Sequence, residues 1–208
     1  MKYLTRKIDA FLLDWKSNSN HNPLIVKGAR QIGKTESILH FANNNYANVI
    51  YINFVEEPHY KNIIVDGYKP EQICKNISRL NPDVRFTKGE TLLFFDELQE
   101  FPQIATALKF FKIHGGYDVI GSGSLLGVNY RKIERYSVGD KPDYVMRSMD
   151  FEEFLWAKGY DADSLLSHIR DRKPFSILEQ ELYMGLFRDY CLLGGMPAVV
   201  NNYITNGT

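Results

Sequence analysis

Short apolar runs alternate with longer stretches of helical period along most of the chain. PLIVKG (23–28), NVIYINF (48–54), TLLFFDE (91–97) and YDVIGSGS (117–124) read as strands. TLLFFDE is an unbroken apolar run closed by two acids, the pattern of a strand covered on both faces. Between these runs, 34–43, 57–64, 70–80 and 101–114 carry apolar residues at helical spacing. Ahead of them, Tyr3 to Lys16 places Leu4, Ile8, Phe11, Leu12 and Trp15 along one stripe, an amphipathic helix ended by the polar linker SNSNHNP. A fifth strand is expected at 144–149, then helices at 151–158 and 176–193. Strands that alternate with helices imply a parallel sheet with helices on each face, and ligands at the carboxyl ends of its strands. The expected organisation is an N-terminal helix (1–20), an α/β core (21–150) and a small helical subdomain (151–208).

The turn after the first strand changes this from a fold into a chemistry. Gly28-Ala29-Arg30-Gln31-Ile32-Gly33-Lys34-Thr35 matches G-x-x-x-x-G-K-[ST], and it stands between a strand and a helix, as a phosphate-binding loop must. Gly28 and Gly33 allow positive φ and let backbone N–H groups crowd an anion. The helix that begins at Lys34 points its positive end at the same place, and Glu36 closes the nucleotide-binding stretch. The Lys34 ammonium suits the β and γ phosphates, and the Thr35 hydroxyl is a hard oxygen ligand for Mg²⁺. A glycine-containing surface turn is the plainer alternative, and the flanking elements argue against it.

Two further strand ends fit the same chemistry. Asp96, at the end of the third strand, is placed to hold Mg²⁺, and the adjacent Glu97 to orient and polarise a water, which favours hydrolysis over transfer to an acceptor. In Gly121-Ser122-Gly123-Ser124 a hydroxyl can sense the γ-phosphate, with Ser122 the first choice and Ser124 the second; a flexible turn is the competing reading.

Composition narrows the partners. Lys plus Arg and Asp plus Glu both number 25 in 208 residues, so no net field draws in nucleic acid or an anionic membrane. No run of about 18 apolar residues occurs, and the charges at Lys7, Asp9 and Asp14 interrupt any leader-like core, which gives a cytoplasmic reading. Cys74 and Cys191 form no ligand spacing and are expected as buried free thiols. The histidines show no metal pairing, and Glu152 and Glu153 are expected to cap or solvate a helix start. Arg131, Arg135, Arg147 and Arg188 could each serve as an arginine finger, but a solvated or paired role suits each, and none is assigned.

GARQIGKT, FFDELQ, GSGSLLG, MDFEEFL and GGMPAVV, in that order, resemble the AAA+-type ATPases of bacteria and archaea that carry an uncharacterised C-terminal domain. The resemblance implies a P-loop NTPase core that uses ATP and Mg²⁺. It implies Gly28 to Thr35 as the phosphate loop, Asp96 and Glu97 as the magnesium and water carboxylates, and Ser122 as the sensor. It also implies a longer relative with a restriction-endonuclease-like C-terminal domain, of which this chain would be the N-terminal ATPase portion. The leading expectation is an Mg²⁺-dependent ATPase coupled to a conformational switch. A nucleotide-gated binding module with little turnover and a P-loop phosphotransferase stand beside it. ATP, a second copy of the chain and the further domain are its expected partners; DNA stays open, and no membrane is expected.

Overall fold

The computed structural model describes residues 2–114, 116–124 and 143–207. Two compact units make up the chain: residues 12–30 with 34–146, and residues 1–11 with 31–33 and 147–208. Helix α1 (Lys7–Ser17) comes first, followed by β1 (Leu24–Gly28), α2 (Lys34–Asn45) and β2 (Asn48–Asn53). A 3-10 segment (Pro58–Ile64), α3 (Pro70–Leu80), β3 (Thr91–Asp96) and a short 3-10 turn (Leu98–Glu100) come next. The larger unit closes with α4 (Ile104–His114), β4 (Asp118–Ser124) and β5 (Asp143–Val145).

These strands form one five-stranded parallel sheet in the order β2-β3-β4-β1-β5. The fold is α/β, with helices flanking the sheet, as the alternating pattern requires. The inner strand β3 is buried at every residue, which explains why its sequence lacks polar alternation. Its Leu93 and Phe95 share one core with Ile73 and Ile77 of α3 and Leu108 and Phe111 of α4. Register then aligns the carboxyl ends: Asn53 pairs with Asp96, Phe95 with Gly121, and Gly28 with Ser124. Chemistry-bearing residues from four strands thereby meet one edge of the sheet.

Several boundaries differ from the sequence expectation, among them the start of α4 at Ile104 instead of Phe101. Helix α1 starts at Lys7 rather than Tyr3, because the Asp9 carboxylate accepts from the Arg6 N–H at 2.8 Å and the Tyr3 hydroxyl at 2.5 Å and closes a turn ahead of it. The segment at 57–64 is a 3-10 helix, entered at Pro58. Strand β5 covers only Asp143–Val145: the Met146 N–H still reaches the Lys27 carbonyl at 2.7 Å, but Asp150 already caps the next helix.

The smaller unit holds α5 (Phe151–Ala157), α6 (Ala162–Asp171), α7 (Ile177–Leu193) and α8 (Pro197–Asn206). Capping boxes start α5 (Asp150 with Glu153) and α7 (Ser176 with Glu179). Helices α6 and α8 add to the two expected here. Pro197 at the first turn of α8 explains why GGMPAVV opens a helix instead of breaking one. Glu153 does cap, but it is not solvated: it is 4% exposed and lies 3.1 Å from the equally buried Arg6. That contact is an ion pair and not an aligned hydrogen bond, and the Lys7 N–H donates to the same Glu153 oxygen at 2.7 Å. The remaining Arg6 nitrogens donate to the carbonyls of Ile32 (2.7 Å) and Arg147 (2.8 Å). Of the thiols, Cys74 is buried and burial pushes it up to about 12, whereas Cys191 is exposed, against expectation. Helix α7 buries only Leu186, so a residue on its opposite face meets solvent.

Close backbone approach within this unit yields a stability prediction. The Met149 N–H donates to the Gly195 carbonyl at 2.8 Å, and a Cβ on Gly195 would stand 2.2 Å from the Met149 carbonyl oxygen. Backbone has to move to admit it, so Gly195→Ala is expected to cost at least about 1–3 kcal/mol. A lowered denaturant midpoint at unchanged slope is the readout.

Candidate functional site

The loop between β1 and α2 carries the expected phosphate-binding residues. Positive φ falls on Gln31 (62°) and Gly33 (91°). Gly28, expected to need that freedom, has none: it is still laddered to Ser124 as the last residue of β1. Ala29, Arg30 and Gln31 are exposed, and Glu36 is exposed on the first turn of α2. Ile32 is buried, so its side chain anchors the loop and only its backbone can serve an anion. The backbone N–H groups of residues 30–33 follow a turn at Arg30 and Gln31 and a bend at Ile32 and Gly33. Such N–H groups form a concave anion site when the chain bends this way.

Lys34 donates to the carbonyls of Gly28 (3.2 Å) and Ala29 (2.6 Å). Burial pulls its pKa below the ordinary lysine range, against the pull of Glu97 and Asp96, which act in the opposite direction. A half-buried ammonium that rests on neutral carbonyls, with carboxylates acting on it from a distance, is suited to take a phosphate as a direct partner.

Asp96 is the hub. Its carboxylate, 2% exposed, accepts at Oδ2 from the Thr35 hydroxyl (2.7 Å) and the Tyr51 hydroxyl (3.2 Å). At Oδ1 it accepts from the Ser122 hydroxyl and from the Glu97 N–H at 2.8 Å. Four donors fill the acceptor sites a carboxylate offers. The donor set fits Mg²⁺ all the same. Thr35 gives its proton to Asp96 and keeps its oxygen lone pairs, a hard ligand beside a carboxylate, and Mg²⁺ retains most of its waters at such sites. Thr35, Asp96 and Ser122, separate in sequence, are thus brought together. Ser122 meets the carboxylate directly, at the base of the site.

Glu97 follows in the left-handed region (φ 56°), unusual for a residue with a Cβ. Its carboxylate accepts from the Gln99 amide. The Gly121 to Ser124 stretch is strand throughout and not a turn. Its glycines make room: a Cβ on Gly121 would stand 2.6 Å from Leu98 Cδ1. The second-choice Ser124 hydroxyl is buried and meets no partner among the described residues. Arg131 and Arg135 lie outside the described residues, as does the rest of GSGSLLG beyond Ser124.

Tyr51, Asn53 and Gln99 were not foreseen. Asn53 donates to the Tyr51 hydroxyl at 3.3 Å and accepts from the N–H groups of Val55 (2.9 Å) and Glu56 (3.3 Å). Burial, reinforced by Asp96, pushes the Tyr51 hydroxyl up to about 12, so it stays a donor. A signal existed: in NVIYINF the polar positions 51 and 53 share a face at the carboxyl end of a strand.

Comparison with known proteins adds the following. The family described as an AAA domain matches residues 20–155. The restriction-endonuclease-like domain implied by the resemblance gains no support from that match. Among solved structures, PCH-2 of C. elegans is similar at 10% identity and a TM-score of 0.44, covering 82% of this chain and 48% of that one. The chain therefore spans about half the length of that structure. No curated protein matches the sequence.

Proposed function

The chain belongs to the AAA-domain family, and on that premise we propose that it binds ATP with Mg²⁺ at the β1–α2 loop and hydrolyses it. The observation that carries this reading is the Asp96 carboxylate, which gathers Thr35 from the loop helix and Ser122 from β4 at the carboxyl edge of a parallel sheet. Structural turns do not require three strand ends to converge on one buried acid.

In this reading the N–H groups of residues 30–33 and the Lys34 ammonium hold the β and γ phosphates. Thr35, supported by Asp96, would hold Mg²⁺, which when bound offsets charge on the phosphate oxygens. Tyr51 and Ser122 keep Asp96 fixed by donating to it. Glu97 orients the attacking water by accepting its hydrogen bond; the water oxygen bonds to the γ-phosphorus as the bond from that phosphorus to the bridging oxygen breaks, ADP leaves with the bridging oxygen, and the water proton passes through Glu97 to the released phosphate. The finer reading couples this turnover to a conformational switch involving the helical residues 151–208, with 21–150 as the ATPase core.

Phosphate release from Mg·ATP without any added acceptor tests the proposal. Turnover above buffer is the expected result, and at 100 times the dissociation constant ATP should stabilise the protein by about 2.7 kcal/mol. Stabilisation without phosphate release would favour a binding module. Release only when an acceptor is supplied would favour a phosphotransferase.

A further inference from the structure

A glutamate that orients water is useful only if its carboxylate is held, and Glu97 stands at the start of a short turn with a long, flexible side chain. Gln99 supplies the hold. It is 7% exposed, and its Oε1 accepts from the Ser124 N–H at 3.2 Å. A backbone N–H can only donate, so this contact fixes which end of the amide is oxygen. The NH₂ end then faces the other way, where it donates to Glu97 Oε2. Leu98, fully buried against Gly121, pins the turn, and Gly123 leaves space, since a Cβ there would stand 3.0 Å from Gln99 Oε1.

The geometry points to Gln99 as the positioning residue for Glu97: its amide ties the water-orienting carboxylate to the end of β4, two residues beyond the Ser122 hydroxyl that bonds Asp96. A neutral amide suits this task because it restrains the carboxylate without cancelling the charge that water must feel. The inference rests on the hydrolytic reading of Glu97 given above.

Gln99→Glu keeps the size of the side chain and its acceptor toward Ser124 but replaces the donor by a carboxylate that repels Glu97, so it displaces the Glu97 carboxylate while packing is held constant. Steady-state turnover of this variant is expected to fall about 10- to 100-fold, the loss of one hydrogen bond to a charged group, while KM for ATP stays within about twofold. In a Glu97→Gln background the same change should cost nothing further, since the carboxylate it positions is gone. Gln99→Met, of similar length and without either polar end, gives the second measurement should the added acid impair folding, and ATP-dependent thermal stabilisation reports that each variant is folded. Equal losses in the two backgrounds, or a raised KM at unchanged kcat, would overturn the role. Should Glu97→Gln itself leave turnover intact, the hydrolytic reading fails first and the positioning role falls with it; an intact Gln99→Glu beside an inactive Glu97→Gln removes the positioning role alone.

Discussion

Glu97→Gln is expected to lower ATP turnover by about 10² to 10⁴, the usual contribution of a positioned general base, while leaving ATP binding in place. The substitution preserves size and leaves an oxygen that can still accept from Gln99. What it removes is the negative charge and the second acceptor that hold a water against the γ-phosphate. At about 1.36 kcal/mol per tenfold, the change amounts to about 3–5 kcal/mol of barrier. Asp96, Thr35 and Lys34 keep their own contacts, since none of the bonds between them passes through the Glu97 side chain. Phosphate release and ATP-dependent thermal stabilisation, measured on the same preparation, give the decision. Loss of the first with retention of the second is expected; wild-type turnover would remove Glu97 from the mechanism.

Lys34→Ala should act on the other side of the cycle and abolish nucleotide-dependent stabilisation, about 2.7 kcal/mol at 100 times the wild-type dissociation constant. Burial already holds the Lys34 ammonium at a cost, expressed as a pKa below the ordinary lysine range. A bound triphosphate would add direct counter-charge to that of Glu97 and Asp96, so binding raises that pKa again. The sign of the pH dependence follows. The bound state holds the Lys34 proton more tightly than the free state, so affinity is full below the free-state pKa and declines as pH rises through it. That decline begins at lower pH than an ordinary lysine would give. Dissociation constants measured across the alkaline range should show this limb in the wild type, and a flat alkaline profile there would exclude Lys34 from phosphate contact.

Both predictions concern residues legible in the chain, and the reason is local. Loop chemistry from Gly28 to Thr35 depends on neighbours in sequence: an apolar strand before it, a helix start after it, a glycine at the left-handed position. Asp96 was legible because a strand that ends in an acid announces itself by pattern. Even here the sequence misplaced one detail. It assigned positive φ to Gly28 as well as Gly33, but pairing with Ser124 keeps the strand going at Gly28, and Gln31 takes positive φ beside Gly33.

What sequence alone determined, then, was the alternating α/β architecture with one carboxyl edge; it also singled out the loop, lysine, threonine and acids on which the proposed function rests. These follow from periodicity, glycine freedom and charge, all of which act over a few residues. Tertiary structure alone decided which of them touch. Asp96 draws in Thr35 from 61 residues away and Tyr51 from 45 because register, not sequence, sets strand ends side by side. The Gln99 tether and the burial of Glu153 on Arg6 belong to the same class: each needs two distant segments packed before either polar group has a partner, and no local pattern encodes that.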